Sequence, residues 1–412
     1  MSRLLFPIFV LTLLVAAEYY FFQALKLVFP PRIGARFSTA QWVFLAINVA
    51  LYLCFPIYRL GGFRSEYKAV FSYTAALFVM LLLAKIIVLL FLGIGDIYRI
   101  ISGWWQPAPT TGTETGITRS AFLGRVAMGV AAVPFFSLLY GVVVNAYNYQ
   151  VKRITLRFPN LPQAFDGFRF VQLSDIHSGS FTRTKPLEDA VRTINELNAD
   201  AILFTGDLVN NITDEVRPYQ QIFGKLKAKH GVFSTTGNHD YGDYVQWESP
   251  EAKRKNFQDL VNAHKEMGWD ILMNEHRVLE RNGDKIALLG IENWGHALHF
   301  PRYGKLDQAH KGTEEIPFKI LLSHDPSHWD AQVRPEYPDI DLTLSGHTHG
   351  FQFGVENRFV KWSPSQWVYK QWAGLYQEGK QYIYVNRGFG FLFYPGRVGI
   401  LPEITEITLK RA

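Results

Sequence analysis

The sequence predicts an α/β domain that follows four transmembrane helices. Two observations lead to this prediction. The first 150 residues are apolar and carry little charge, and five short apolar runs farther along the chain each end in a cluster of polar residues. The composition, 48% hydrophobic and 15% aromatic, excludes a disordered chain, and the single cysteine excludes a scaffold held by internal disulfides.

Charge divides the chain near residue 150. Residues 1–150 hold 11 basic and 4 acidic residues and no histidine, whereas the other 262 residues hold 31 basic and 32 acidic residues and all 12 histidines. The excess of positive charge therefore lies in the apolar part, which favours anchoring at a membrane over a nucleic-acid-binding face on the rest of the chain. We predict a transmembrane region over residues 1–150 and a separate domain over residues 151–412.

Four apolar stretches before residue 150 have or approach the roughly 20 residues that a membrane-spanning helix needs. The first could instead be a cleaved signal peptide, because Arg3 precedes an apolar run that ends in small residues, but aromatic sequence continues through Phe29. The four predicted spans cover about residues 4–25, 42–58, 69–94 and 126–146.

Two ionisable residues lie inside these spans, Glu18 in the first and Lys85 in the third. They fall at similar depth, and an unpaired charge at mid-bilayer costs about 3 kcal/mol, so we expect them to pair. A proton or ion pathway is the functional alternative to a structural ion pair.

Basic residues near the ends of the spans predict that the domain after residue 150 faces the cytoplasm. Six of them fall on the side shared by the amino terminus and this domain, and five fall on the other side. The six are Arg3, Arg59, Arg64, Lys68, Lys152 and Arg153, and the five are Lys26, Arg32, Arg36, Arg99 and Arg119.

From Lys152 onward, short apolar runs rich in β-branched and aromatic residues are followed at once by polar residues. Runs of five or six such residues are typical of buried strands. The runs and the polar clusters after them are 168–173 with 174–177, 201–205 with 206–207, 231–236 with 237–240, 318–322 with 323–325, and 340–344 with 345–349.

Strand and helix patterns alternate in this part of the chain. Between the first two runs, Leu187, Val191, Ile194 and Leu197 recur at helical spacing. Such alternation predicts parallel pairing of the strands, and ligands of parallel sheets bind beyond the carboxyl ends of the strands. The polar clusters lie at those ends.

If the five clusters converge, they bring together seven side chains that carry imidazole, carboxylate and amide groups and no thiolate. Such a set suits first-row divalent ions, Mn, Fe or Zn, and seven ligands suit two ions that share a bridging carboxylate. Nearby glycines predict loops in which the backbone passes close to metal and phosphate. The ligands are Asp175, His177, Asp207, Asn238, His324, His347 and His349, and the glycines are Gly206, Gly237 and Gly346.

The clusters resemble the five ordered motifs of the calcineurin-like metallophosphoesterases. The motifs are Asp-Ile-His at 175–177, Gly-Asp at 206–207, Gly-Asn-His-Asp at 237–240, Ser-His-Asp at 323–325 and Gly-His-Thr-His at 346–349. The tail at 384–388 and 402–405 resembles the bacterial membrane-associated branch that includes phosphodiesterases and UDP-diacylglucosamine pyrophosphatases. The resemblance implies two packed mixed β-sheets flanked by helices, from about residue 165 to the end.

The resemblance also implies roles for the site residues. Asp175, His177 and His349 would bind one ion, Asn238, His324 and His347 would bind the other, and Asp207 would bridge them. A hydroxide between the ions would attack phosphorus in line, and His239 would be the general acid, kept protonated by a carboxylate such as Asp240. The sequence departs from the branch at Phe351, which stands where a glycine is usual before Gln352, and this departure affects the expected shape of the substrate pocket.

We therefore predict a membrane-anchored phosphoesterase that cleaves a phosphodiester or a pyrophosphate, with the lipid bilayer as its partner and a lipid-linked molecule as its substrate. Two aromatic segments could seat an acyl chain or touch the membrane interface, although ordinary core packing is the alternative. They contain Phe359, Trp362, Trp367, Tyr369 and Trp372, and Phe389, Phe391, Phe393 and Tyr394.

Two other functions remain open. A nucleotide or nucleic-acid phosphodiesterase would use the same ions, but the near-neutral charge of residues 151–412 disfavours a polyanion. A membrane sensor or transporter with a non-catalytic esterase-like module is the second, and the complete ligand set argues against it.

Overall fold

The computed structural model describes residues 12–22, 43, 46–48, 50, 68–104 and 119–412. The chain separates into two compact units, Met1–Tyr140 and Gly141–Ala412.

Apolar helices form the described part of the first unit. The last of them ends in the second unit. After the helical segment Thr12–Phe22 come α1, Lys68–Gly103, and α2, Arg119–Val143. Their stretches Val70–Gly103 and Ala121–Val143 are, among the described residues, the two that are long and apolar enough to cross a membrane. They correspond to the third and fourth predicted spans.

The boundaries of these two helices differ from the prediction. Helix α1 continues to Gly103, beyond the predicted end at residue 94, and an i,i+3 ion pair between Arg99 and Asp96 lies along its last turns. Helix α2 begins at Arg119 and ends at Val143, three residues before the predicted end. Most of the first and second predicted spans lies outside the described residues.

The predicted pairing of Glu18 with Lys85 is confirmed. The two side chains form a buried ion pair, and the Lys85 ammonium also donates to Asn48 Oδ1 at 2.7 Å. Each partner is less than 5% exposed. The amide oxygen of Asn48 thus gives the ammonium a second acceptor in apolar surroundings, which lowers the cost of burying it.

The second unit contains fourteen strands in its described residues, of which twelve form two six-stranded sheets. The strands are β1 Gln150–Phe158, β2 Arg169–Leu173, β3 Ala201–Phe204, β4 Val232–Ser234, β5 Trp269–Ile271, β6 Glu275–Arg281, β7 Asp284–Gly290, β8 Lys319–Leu322, β9 Leu342–Ser345, β10 Val355–Glu356, β11 Lys361–Trp362, β12 Gly374–Glu378, β13 Gln381–Val385 and β14 Glu403–Arg411. The five predicted strands correspond to β2, β3, β4, β8 and β9.

Both large sheets are mixed. The first has the order β1-β14-β2-β3-β4-β5, and all its pairs are parallel except β14 with β2. The second has the order β12-β13-β9-β8-β7-β6, with antiparallel pairs at its two edges and parallel pairs between them. Strands β10 and β11 form a separate hairpin. The expected fold of two mixed sheets flanked by helices is confirmed.

The sheets pack face to face, and helices cover their outer faces. Phe170 and Leu203 of the first sheet and Leu288 and Leu344 of the second belong to one buried apolar layer between the sheets. A second layer lies under α3 and α5, and a third lies under α6. The helices of this unit are α3 Lys185–Glu196, α4 Gln220–Phe223, α5 Pro250–Glu266, α6 Leu306–His310 and α7 Arg334–Glu336.

Candidate metal centre

The seven predicted ligands converge at one edge of the two packed sheets. Each follows the carboxyl end of a parallel strand: β2, β3 and β4 in the first sheet, and β8 and β9 in the second. Gln172, in β2, joins the sheets at this edge because its side-chain amide donates to the carbonyl of Ser345 in β9 at 2.9 Å. The topology therefore brings five separate loops to one place.

The first group of ligands consists of Asp175, His177 and His349, all buried, with ligand atoms within 4.8 Å of one another. His349 Nε2 lies 3.2 Å from Asp175 Oδ1 and 3.0 Å from His177 Nε2. One cation at this point would meet two imidazole nitrogens and a carboxylate oxygen.

The second group consists of Asp207, His324 and His347, again with ligand atoms within 4.8 Å of one another. Asn238 adds its amide oxygen, which lies 2.8 Å from His347 Nδ1. Asp207 Oδ2 lies 3.1 Å from His324 Nε2 and 3.5 Å from His177 Nε2, so this carboxylate reaches both groups.

Two observations show that these residues fit a pair of cations. Imidazole nitrogens face each other at 3.0 Å in the first group and at 3.3 Å in the second, an arrangement in which a cation can accept the lone pairs of both rings. Five of the seven ligands also have positive φ, a conformation that costs about 1–3 kcal/mol at a non-glycine residue and concentrates at functional sites. The five are Asp175, His177, Asp207, His347 and His349.

The pKa values of the two ligand carboxylates are lowered in spite of their burial. Burial alone would raise the pKa of Asp207, but the charges of His324 and His239 hold it well below its usual range. The pKa of Asp175 is also lowered: burial opposes this shift, and the charge and hydrogen bond of His349 outweigh burial. Two buried anions so close together attract positive charge, which divalent cations would supply.

Hydrogen bonds behind the ligands fix their orientation. His324 Nδ1 donates to the carbonyl of Thr205 at 2.8 Å, which fixes the ring so that Nε2 faces Asp207. The Asn238 amide donates to the hydroxyl of Tyr244 at 2.8 Å, which directs its oxygen toward His347. With a cation bound, His324 Nε2 and the Asn238 oxygen would each offer it a lone pair.

The glycines beside the ligands allow very close packing. A Cβ at Gly237 would lie 2.8 Å from the Asp207 backbone nitrogen and closer still to its carboxylate. A Cβ at Gly346 would overlap the side chains of Ser174 and Asp175. At these two glycines the backbone therefore lies against the ligand carboxylates, and its approach to metal and phosphate stays a prediction.

The predicted pairing of His239 with Asp240 is wrong. The Asp240 carboxylate accepts backbone N–H groups of Gly237 and Asp207 at 2.8 and 2.9 Å, and two more from the loop after Asp207. It turns inward because those amides would otherwise be buried without partners. His239 Nδ1 instead lies 2.6 Å from the carbonyl of Asn210, and its ring lies 4.9 Å from that of His177.

Sequence reasoning did not identify three side chains as part of the site. Tyr244 orients Asn238, Tyr369 lies with its hydroxyl 2.7 Å from His347 Nε2, and Arg397 lies with Nη2 3.3 Å from His349 Nδ1. The aromatic segment around Tyr369 was visible in the sequence, but its contact with a ligand was not. Tyr244 lies close after a motif, and no pattern marks Arg397.

Two family models match the chain. Residues 168–351 match "Calcineurin-like phosphoesterase", and residues 2–146 match "Probable Calcineurin-like phosphoesterase, transmembrane domain".

Similar proteins occur in bacteria and vertebrates. The "Uncharacterized metallophosphoesterase YkuE" of Bacillus subtilis (strain 168) is 34% identical over 280 residues, which cover 66% of this chain and 89% of that protein. The "Transmembrane protein with metallophosphoesterase domain" of Danio rerio is 33% identical over 308 residues, which cover 72% of this chain and 64% of that protein, less than two thirds of its length. The Bos taurus protein of the same name is 28% identical over 339 residues, 80% of this chain and 72% of that protein.

Proposed function

Because the chain belongs to the calcineurin-like metallophosphoesterases and is a metal-dependent phosphoesterase of the membrane, we propose that it cleaves a phosphodiester or pyrophosphate bond of a lipid-linked substrate with two divalent cations. The observation that carries the dinuclear part of the proposal is the position of Asp207. Its Oδ2 lies within 3.5 Å of a histidine from each ligand group.

The proposed ligand sets divide between the two groups. Asp175, His177 and His349 would hold one cation, Asn238, His324 and His347 would hold the other, and Asp207 would be shared. Bound there, two cations would supply Lewis-acid activation of a water molecule and neutralisation of the charge on the phosphate. The protein residues would fix the positions at which the phosphate oxygens bind.

His239 is proposed to protonate the leaving oxygen. Its Nδ1 donates to the carbonyl of Asn210, which fixes the ring, so Nε2 is the nitrogen that can deliver a proton. The ring is half-buried, between His177 and Tyr244, beside the first ligand group. Water adds to phosphorus and loses one proton to solvent, the bond from phosphorus to the leaving oxygen breaks, and that oxygen takes the proton from His239.

The lipid-linked part of the proposal rests on the membrane helices that the chain carries. A helix long enough to cross a bilayer ends at Val143, seven residues before β1 begins at Gln150, so the phosphoesterase unit is held close to lipid. A substrate that also resides in the membrane would be met at high local concentration. The narrower resemblance to lipid pyrophosphatases in the sequence points to the same class.

Removal of single ligands tests the dinuclear site. Asp207→Ala and Asn238→Ala should each reduce turnover of a chromogenic phosphodiester at least about 100-fold, because loss of a ligand exceeds the 10- to 100-fold loss typical of outer partners. Atomic spectroscopy should show less bound metal in both variants. Asp214→Ala is the matched control, because this carboxylate pairs with Arg217 on the surface and is 72% exposed. Turnover retained in Asp207→Ala or Asn238→Ala would overturn the proposal.

A substrate panel tests the lipid-linked part separately. Purified full-length protein should turn over detergent-dispersed lipid nucleotides or lipid pyrophosphates faster than soluble phosphomonoesters and diesters. Metal analysis of the same preparation would identify the ions. Faster turnover of soluble nucleotides than of any lipid would instead favour the nucleotide phosphodiesterase alternative.

We also propose that the phosphoesterase unit faces the cytoplasm, on the count of six flanking basic residues against five. A membrane-impermeant thiol reagent applied to intact cells should fail to label a cysteine placed at Val278, an exposed position of β6. Labelling without permeabilisation would place the unit on the other side.

A further inference from the structure

Several large aromatic side chains of the second unit, in the segments that follow the last ligand motif, are exposed. We call this group the aromatic ridge and define it as Phe351, Phe353, Phe359, Trp367 and Phe393. Their exposed fractions are 63%, 39%, 90%, 73% and 89%. Large exposed apolar patches are rare on soluble surfaces, and where they occur they mark interaction sites. The other aromatic residues of these segments, such as Tyr369, Trp372, Phe389 and Phe391, are buried and belong to the core.

The ridge is held together by contacts between its segments. Phe353 pairs with Val398 in an isolated β-bridge, and its ring lies 6.4 Å from Trp362, whose ring lies 6.0 Å from Trp367. The hairpin of β10 and β11 carries Phe359 at its tip, beside exposed Arg358. These contacts connect Phe353 to Trp367 through Trp362.

The ridge also begins at the metal centre. Phe351 follows the predicted ligand His349 by two residues and replaces the glycine expected before Gln352. The Gln352 amide donates to the carbonyls of Tyr394 and Gly396 at 3.0 and 3.2 Å, which fixes the loop of Phe351 to the loop of Phe393. Both exposed aromatics have positive φ, 58° and 62°, a conformation that costs free energy at a non-glycine residue.

The loop that carries Phe393 packs on the last turn of helix α2. Arg397 N donates to the carbonyl of Gly141 at 3.1 Å, and a Cβ at Gly141 would lie 2.7 Å from the Tyr394 hydroxyl and 2.9 Å from the Arg397 carbonyl oxygen. Gly141 is the third residue from the end of the apolar stretch Ala121–Val143, which is long enough to cross a bilayer. The loop is therefore attached where this helix leaves the hydrocarbon region.

We propose that the aromatic ridge lies in the lipid–water interface of the membrane that α2 crosses. Aromatic rings partition to that level of a bilayer, and Arg358 beside Phe359 would meet lipid phosphate groups. A second copy of the chain could also cover an apolar surface, but the attachment of the Phe393 loop to the end of a membrane helix favours the bilayer. If the proposed function is correct, the mouth of the metal centre opens at the interface and lipid-linked phosphate can enter from there.

Spin labels on the full-length protein test this placement without any substrate. In a Cys54→Ser background, Phe359→Cys and Phe393→Cys would each carry a nitroxide, in nanodiscs of phosphatidylcholine and phosphatidylglycerol. Val278→Cys is the matched control, an exposed apolar residue of β6 that is 43% exposed. Bound-metal content and the gel-filtration profile would verify that each variant is folded.

We expect collisions of the nitroxide with oxygen to exceed those with a water-soluble nickel chelate at residues 359 and 393, and the reverse at residue 278. Equal water accessibility at all three positions would overturn the proposal. So would dipolar broadening at residues 359 and 393 that persists in detergent, because it would show that a second copy covers the ridge. Since activity is not measured, a failure of the proposed function would leave this result unchanged.

Discussion

The predicted ligand His347 is contacted by Tyr369, a residue outside the five motifs. Its Nδ1 faces Asn238 Oδ1 and His324 Nε2, so Nδ1 is the nitrogen that can bind a cation. In a neutral imidazole the proton is then on Nε2, which lies 2.7 Å from the Tyr369 hydroxyl. The Tyr369 hydroxyl can accept from this N–H and so supports the tautomer that leaves Nδ1 free.

Replacement of Tyr369 by Phe should weaken the second cation site selectively. Loss of an outer partner of a ligating histidine typically reduces metal affinity or activity 10- to 100-fold, so turnover of a chromogenic diester should fall by about that amount. Metal titration followed by atomic spectroscopy should show one weakened site and one unchanged site. Tyr382→Phe is the control, because that ring packs on Phe158 between the sheets. Equal weakening of both sites, or no change, would contradict this role.

The seven ligands could be predicted from their positions along the chain. Each follows a short apolar run, and parallel strands place such positions at one edge of the sheet. The direction of a side chain within a tight loop could not be predicted in this way. Asp240 follows His239 directly, yet its carboxylate turns to the amides of Gly237 and Asp207. Buried amides require acceptors, and this requirement depends on the fold rather than on proximity in sequence.

At the scale of elements, the sequence predicts the strands that are apolar on both faces. It does not predict the strands at the edges of the sheets. Strands β2, β3, β8 and β9 are almost wholly buried and appear as continuous apolar runs. Strand β1 alternates exposed and buried residues and pairs with β14, about 250 residues away. The pairing of β1 with β14 depends on how the whole domain folds, and the local sequence pattern of β1 carries no information about it.

Helix α2 connects the predicted membrane region to the phosphoesterase unit. Gly141 lies in its last turn, and the backbone of Gly396 approaches so closely that a Cβ at Gly396 would lie 2.7 Å from the Gly141 carbonyl carbon. Only a residue without a side chain fits at this crossing. The position of the loop that carries Phe393 therefore depends on Gly141 in helix α2.

Gly141→Ala should destabilise the protein, because the added methyl would meet backbone and side-chain atoms at 2.7 to 2.9 Å. Overpacking of this kind costs about 1–3 kcal/mol and should lower the thermal unfolding temperature measured in detergent. Gly129→Ala in the same helix is the matched control, since no atom lies within 4 Å of its Cβ position. Alanine favours helix by about 1 kcal/mol over glycine, so this control should be neutral or slightly stabilising. Equal unfolding temperatures in the two variants would argue against close packing at Gly141.

At the scale of the whole molecule, charge predicts two regions with different solvents, and the structure divides into two compact units. The predicted boundary at residue 150 and the structural one at Gly141 differ for a physical reason. Ala146, Tyr147 and Tyr149 are apolar and continue the composition of the last span, yet they pack on the core of the second unit. Hydropathy cannot distinguish a residue that faces lipid from one that faces a protein core.

Two fragments that differ in residues 141–150 test which boundary is right. A fragment of residues 141–412 should fold, bind metal and turn over a soluble diester. A fragment of residues 151–412 should be less stable by a few kcal/mol. The shorter fragment loses the stacking of Tyr149 on Phe389 at 4.3 Å and the edge contact of Tyr147 with Phe391 at 5.7 Å. Such pairs contribute about 0.5–1.5 kcal/mol each beyond the apolar area they bury.

Thermal unfolding of the two fragments, each with the same amino-terminal tag, measures this difference. Loss of Ala146, which is 2% exposed, should add to the destabilisation because it opens a gap beside β2. Activity of both fragments on the soluble diester would further show that the membrane helices are not needed for the chemistry. Identical unfolding temperatures would instead favour the boundary at residue 150, and would mean that the aromatic contacts before β1 contribute nothing to the stability of the phosphoesterase unit.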